Sequence, residues 1–361
     1  MSLVLEQPTT RFDAAAAQFA PQPAEFRGLA REDVRLLVAR PEGITHARFR
    51  DLPEHLEPGD AVVVNNSATV AGQLDGIRMR GGMAVVVHLA APLDDGTWVI
   101  ELRTAPDAAR AILDSEVGEA VRVPAGRAGF DEVRLRLVEP YPFTSSPTGQ
   151  GNRLWRAQVT GPITEVAQRL GRPISYGYLD RSYDLEAYQT VFAAEPGSAE
   201  MPSAARPFTH DIVTRLVSRG VAVVPVTLHT GVSSQEAGEG PQAERFRVSD
   251  AAARQLNAVR AGGGRIVAVG TTATRAVESA VEGGVVVARS GWTERIVTPG
   301  QPPAIVDGLI TGWHDPQASH LLLVEAVAGG ELTPQAYDAA VAERYLWHEF
   351  GDSALLLPAR S

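Results

Sequence analysis

The chain has 361 residues, 44% of them hydrophobic and 21% charged, which is enough to bury a substantial core and too apolar for intrinsic disorder. Lys and Arg total 33 against 43 Asp and Glu, a formal charge of −10, which argues against wholesale polycationic binding to nucleic acid while leaving room for a local basic patch. No cysteine occurs, so disulfides, thiolate metal sites, iron–sulfur clusters and a Cys nucleophile are excluded.

In chain order, Met1 to Ala20 shows no basic stretch followed by an apolar run, and no later segment reaches the ~20 apolar residues of a membrane span. A cytoplasmic protein with no membrane partner is expected, acting as a monomer. From 36 to 64, short apolar runs alternate with turn signals: RLLVAR, the Pro-rich DLPEHLEPGD, then AVVVNN. After Asn66 come β-like segments separated by Gly and Asp turns, VAGQLDGIRM, MAVVVHL, TWVIELR, AVRVP, EVRLRLVEP and LWRAQVT, a pattern that favours a small antiparallel barrel or sandwich. The Ser/Pro/Gly-rich 144–152 segment is expected to form a mobile rim near the end of that block.

Beyond 160 the hydrophobic period changes from 2 to 3.6. ITEVAQRL and HDIVTRLVSRG predict amphipathic helices, and the second feeds the apolar strand VAVVPVTLH. SDAAARQLNAVRAGGG predicts a helix ending in glycines, then the strand RIVAVG and a helix from Thr272 through Glu278. AIVDGLIT reads as a strand, SHLLLVEAVAG and PQAYDAAVAERYLW as helices, and ALLLP as a last apolar strand. The predicted fold class is α/β: a layered α/β domain made of 1–66 and 155–361, with a small antiparallel β-barrel domain, 67–154, inserted into it.

Common nucleotide and hydrolase signatures are missing: no G-x-G-x-x-G after a strand, no Walker loop, no G-x-S-x-G and no H-E-x-x-H. Polar residues at strand ends remain, where open α/β sheets bind ligands. In VAVGTTATR (267–275), Thr271 and Thr272 open a helix whose N–H groups suit a carboxylate or phosphate; ordinary capping by Thr272 is the alternative. His229 ends a buried strand in VTLHTG (226–231), where an acid–base role competes with a structural one. Asp307, Trp313, His314 and Asp315 fall in or beside one strand-to-helix connection. The spacing of His229, His314, His320 and His348 resembles no compact ligand motif, so no metal is expected. The run 188–211 is long and aperiodic, and Tyr188, Gln189 and Thr190 at its start mark it as a binding loop.

DLPEHLEPGDAVVVNN (51–66), YQTVFAAEPGS (188–198), VTLHTG, VAVGTTATR, VDGLITGWHDP (306–316) and FGDSALLLP (350–358) follow one another across nearly the whole chain. On these segments the chain resembles the S-adenosylmethionine:tRNA ribosyltransferase-isomerase family of queuosine biosynthesis. The resemblance implies an α/β domain with an inserted β-barrel. It also implies S-adenosylmethionine as cosubstrate and tRNA as partner, with the ribosyl unit moved to 7-aminomethyl-7-deazaguanine to give epoxyqueuosine, releasing adenine and methionine. Under it, His314, His229 and Asp307 are the candidate catalytic residues. Tyr188, Gln189, Thr190, Thr209, Glu244, Thr271, Thr272, Arg275, Asn65 and Asn66 are the candidate substrate contacts. The chain departs from the family at PSAARPFT, with Pro207 where a His is usual, and at NNSATV, with Ala68 for a Lys. Two other readings stand beside the family reaction: an enzyme of the same fold with a small-molecule acceptor, and a non-catalytic nucleoside or RNA binder.

Overall fold

The strongest apolar runs of the sequence become the middle of one sheet. In the computed structural model, which describes residues 7–13, 18–124, 132–142, 149–175, 177–233, 241–314 and 319–360, the chain enters the main sheet with the hairpin β1 (Arg35–Arg40) and β2 (Gly43–Arg48). It continues through β3 (Ala61–Asn65) and β4 (Ser67–Thr69). Six strands follow: β5 (Gln73–Arg78), β6 (Ala84–Pro92), β7 (Trp98–Thr104), β8 (Ala120–Pro124), β9 (Glu132–Pro140) and β10 (Leu154–Thr160). Next come α1 (Ile163–Leu170), β11 (Glu195–Ser198), α2 (His210–Ser218), β12 (Ala222–His229), β13 (Glu244–Val248) and α3 (Asp250–Ala261). The chain closes with β14 (Ile266–Val269), α4 (Gly270–Ser279), β15 (Arg289–Thr293), β16 (Gly308–Thr311), α5 (Ser319–Ala342) and β17 (Ser353–Leu356).

Among the described residues the main sheet has nine strands in the order β15-β13-β12-β3-β14-β16-β17-β1-β2. Strands β12, β3, β14 and β16 are mutually parallel, and all five residues of β3 are buried. A parallel strand covered on both faces reads as a continuous apolar run, which is how AVVVN reads. Leu256, Val277 and Leu321 pack from α3, α4 and α5 on one face. Phe208, Ile212 and Leu216 pack with the turn 49–55 on the other. Because the strands on either side of β3 arrive later in the chain from opposite faces, its carboxyl end is a topological switch point.

Strands β5 to β10 close into an antiparallel barrel in the order β9-β10-β7-β6-β5-β8. In β9 the alternation is strict: Val133, Leu135 and Leu137 point inward, Arg134 and Arg136 outward. Strand β4 lies outside the barrel and pairs in parallel with β11. Where the barrel meets the sheet, Ala90, Val99 and Leu154 pack with Ile174, Ala199 and Val232, and Asp94 bonds Trp292 (2.7 Å) and Arg245 (3.0 Å).

Two predicted elements, AIVDGLIT and the start of α4, differ from the observed ones. AIVDGLIT forms a strand only at its end, because the N–H groups of Ala304, Ile305 and Val306 donate to the Glu278 carboxylate (2.8–3.0 Å) instead of to a neighbouring strand. The two C-terminal helices are present as expected: within the α5 range they are separated at Gly329, whose φ of 83° is not helical. Helix α4 begins at Gly270 instead of Thr272. Residues 144–148 of the expected 144–152 rim lie outside the described residues. Among the described residues no helix is long and apolar enough to cross a membrane.

Candidate active site

The ends of β12, β14 and β16 deliver Thr230–Gly231, Gly270–Thr272 and Thr311–Gly312 to one edge of the sheet, where they line a cleft of about 1120 Å³, solvent at its mouth included. Strand β17 runs antiparallel to β16, so the residues just ahead of it, His348 and Glu349, come to the same edge. Glu200 arrives beside them because Ala199 and Glu200 bond along Thr230, at 2.8 and 3.2 Å.

Helix α4 presents its N-terminus to this cleft without a cap. Thr209 caps α2 and Ser249 caps α3, but Val269 makes no capping bond for α4, and the buried Thr272 Oγ1 has no partner among the described residues. Capping by Thr272 is therefore not what the structure shows. The first-turn N–H groups are left for an anion, which the helix dipole also favours. Gly270 is required at the strand-to-helix corner: its φ is 82°, and a Cβ would sit 3.3 Å from that of Ala204.

Three imidazoles form the far wall. His314 is 7% exposed; its Nε2 bonds Thr311 Oγ1 (3.0 Å), its Nδ1 meets His348 Nε2 (3.2 Å), and its ring stacks on His320 at 5.0 Å. Burial, reinforced by His348 and His320, drives the His314 pKa well below the usual imidazole range. Burial also lowers His320, with help from His348 and Arg275, and His348, each to about 4. Burial thus holds all three in the neutral form at pH 7. No group of three or more His, Asp or Glu among the described residues is arranged to hold a metal ion. Trp313, expected to share in the site, is 1% exposed and packs edge-on to Tyr337 (5.1 Å) beneath it.

On the opposite wall Arg275 is fully engaged. It pairs with Glu244 and donates to the carbonyls of Arg295 (3.0 Å), Gln242 (2.9 Å) and Thr293 (3.4 Å), tying α4 to β13 and β15. Glu244 also accepts from Gly231 N (3.1 Å); burial raises its pKa against the Arg275 charge.

The structure brings Glu244, Thr271, Thr272, Arg275 and His314 to the cleft and leaves the other candidates outside its lining. Asp307 lies at the opposite edge, where its carboxylate receives Ile266 N (2.8 Å) at the start of β14. His229 turns behind the cleft: its Nδ1 bonds Ser67 Oγ (2.7 Å), and it lies so close to Gly197 that a Cβ there would come within 2.6 Å. Asn65, 0% exposed, spends its amide on Leu228 O (2.8 Å), Leu228 N (3.0 Å) and Ser67 N (3.1 Å), and Asn66 accepts from Thr227 Oγ1 (2.7 Å). Gln189 clamps both backbone groups of Thr69 (3.1 and 2.8 Å), Thr190 bonds Phe192 N (3.2 Å), and Thr209 caps α2. Tyr188 packs on Phe350 at 5.3 Å, one layer behind the cleft. These side chains tie β3, β4 and the 188–211 segment together. Asp315, which the sequence puts beside His314, lies outside the described residues.

The reading of the sequence missed Glu200, Glu349 and the partnership of His348 and His320 with His314. A signal existed for two of them, since His348 and Glu349 immediately precede FGDSALLLP.

A layered α/β sheet with an inserted barrel and a polar cleft at its switch point defines a ligand-handling α/β protein with acid–base groups. A family model described as queuosine biosynthesis protein matches residues 9–356. A relative from Symbiobacterium thermophilum is 36% identical over 96% of this chain and 98% of its own, and one from Moorella thermoacetica is 34% identical over 96% and 98%. Both are named S-adenosylmethionine:tRNA ribosyltransferase-isomerase. A crystal structure of an S-adenosylmethionine tRNA ribosyltransferase from Thermotoga maritima aligns with a TM-score of 0.50 at 25% identity, over 94% of this chain and 96% of that one. The chain belongs to the queuosine biosynthesis protein family, a family of enzymes.

Proposed function

We propose that the protein transfers the ribosyl unit of S-adenosylmethionine to the aminomethyl group of 7-aminomethyl-7-deazaguanine in tRNA, giving epoxyqueuosine and releasing adenine and methionine. The observation that carries this reading is the meeting, in one cleft, of the open N-terminus of α4 with the buried, neutral His314. The helix end suits the carboxylate of S-adenosylmethionine. The sulfonium acidifies the adjacent 5′ protons, and His314, uncharged at pH 7, is the group assigned to take one of them on Nδ1 once the substrate displaces His348 from that nitrogen, with Thr311 holding the ring at Nε2. Exclusion of water by the cleft walls protects the carbanion. In this reading residues 67–154 are an inserted barrel domain flanking the cleft, residues 1–66 and 155–361 carry it, and the tRNA substrate places the enzyme in the cytoplasm.

Incubation with S-adenosylmethionine, with and without tRNA bearing 7-aminomethyl-7-deazaguanine, tests the reading by chromatography of adenine and methionine. Release that depends on that tRNA is expected; no release with it present overturns the assignment. One observation favours a second reading with a small-molecule acceptor. Arg275, the Arg or Lys of the described lining, is already paired, and Arg245 and Arg247 on nearby β13 are held by Asp94 (3.0 Å) and Glu195 (2.8 Å). Adenine release supported by free 7-aminomethyl-7-deazaguanine, and not by the tRNA, would establish that reading.

A further inference from the structure

Glu349 has an unmet bonding capacity inside the cleft. It is 9% exposed, its Oε2 is buried without a hydrogen-bond partner among the described residues, and it lines the cleft together with Glu200. Glu200 is held in place by Ser233, whose N–H donates at 2.9 Å and whose hydroxyl also bonds the carboxylate. The charged and titratable groups acting on Glu349 are Glu200, Tyr178 and Arg206. Tyr178 is hydrogen-bonded to it. Arg206 spends its own donors on Ala187 O (2.8 Å) and the two carboxylate oxygens of Glu25 (3.2 and 3.0 Å). This wall therefore holds two neighbouring carboxyls, and among the described residues it lacks a donor for Oε2 of Glu349.

We propose that Glu200 and Glu349 form a subsite for the primary ammonium group of a small ligand, Glu349 Oε2 accepting an N–H and Glu200 supplying a second negative charge. A sulfonium would satisfy the charge but not the oxygen, because it carries no N–H donor. An anion is opposed by the Glu200 charge, and a neutral apolar group would leave Oε2 unpaired. Burial and the neighbouring Glu200 push the Glu349 carboxyl up to about 8, so the empty subsite holds a proton that an arriving ammonium displaces.

The choice of probes rests on the function proposed above, since both of its substrates carry a primary amine. Titration calorimetry on the full chain compares S-adenosylmethionine with its analogue lacking the α-amino group, and 7-aminomethyl-7-deazaguanine with 7-methyl-7-deazaguanine. In at least one pair the wild type is expected to prefer the amine tenfold or more, and Glu349→Gln to reduce that preference below threefold while binding the amine-free partner as before. The pair that responds identifies which substrate end occupies the subsite. Glu200→Gln is expected to reduce the same preference and stands in if Glu349→Gln does not fold. Equal binding within both pairs by the wild type, no binding of any of the four probes, or a preference that survives both substitutions overturns the subsite. Adenine release, assayed separately, distinguishes the two claims: a preference without release removes the transfer reading alone, and release without a preference removes the subsite alone.

Discussion

Glu101 in the barrel and Glu349 in the cleft are both buried carboxyls, and their surroundings pull them in opposite directions. Burial pushes Glu101 up, but the hydrogen bond from His88 and the charges of Arg153 and Arg103 outweigh it and hold the group at about 2. Arg103 and Arg153 reach its Oε1 at 2.6 and 3.1 Å. On Glu349 the Arg206 charge and the Tyr178 hydrogen bond are outweighed: burial and Glu200 lift it to about 8. The barrel carboxylate is paired as a structural charge must be, whereas the cleft carboxyl waits for a partner from outside.

The largest loss of stability is expected from removing the paired charge. Glu101→Gln strands two buried guanidiniums and should cost roughly 3–5 kcal/mol in urea unfolding; a loss under 1 kcal/mol would erase the contrast with Glu349. Since the folded pKa of Glu101 is depressed, its stabilisation is complete above about pH 4.5 and fades as the pH falls toward 2.

In the cleft, His314→Ala is expected to lower kcat/KM for adenine release by roughly 10²–10⁴, the range for a lost general acid or base. Its melting point should fall only as far as a lost buried hydrogen bond requires, about 1–3 kcal/mol. Wild-type turnover with a lowered melting point would move His314 to the structural side of the comparison.

Asn65→Ala removes three buried hydrogen bonds and should destabilise by roughly 2–3 kcal/mol while turnover per folded molecule stays the same. Turnover falling in parallel with an unchanged melting point would reverse that assignment. Glu349→Gln should do the opposite to stability at alkaline pH. A carboxyl with a raised folded pKa binds its proton more tightly in the folded state, so the wild type loses stability as the pH climbs from about 4.5 through 8. The uncharged variant escapes this loss and should gain roughly 4–5 kcal/mol over wild type at pH 9 and under about 1 kcal/mol at pH 5, read from melting curves. A variant less stable than wild type at both pH values breaks the comparison. Asp307→Ala, the smallest change, should cost about 1–2 kcal/mol through the unpaired N–H of Ile266 and leave adenine release intact.

Periodicity exposed most of the architecture. The strict alternation of EVRLRLVEP predicts a strand with one buried face, and AVVVN and RIVAVG predict strands buried on both, because solvent contact repeats with the backbone's own period. The same logic placed the N-terminus of α4 within two residues of where it lies, at a strand that ends in Gly-Thr-Thr. It did not separate residues that serve a ligand from residues that serve the backbone. Asn65, Gln189 and Asp307 are polar groups at strand ends or loops just as His314 is, but their bonds run to main-chain atoms across 120 or more residues for the first two and 41 for the third.

What the sequence by itself determined, then, was the set of elements, the barrel-forming block, and the family to which the segments from 51 to 358 belong. The location of the cleft's deepest groups was decided only in three dimensions. The apolar run ALLLP announces a strand, but local sequence carries no information about its direction, and it is the antiparallel pairing of β17 with β16 that turns His348 and Glu349 toward His314 and Glu200. Burial did the rest, because a carboxyl or imidazole has its ordinary affinity for protons until the fold removes its water and chooses its neighbours.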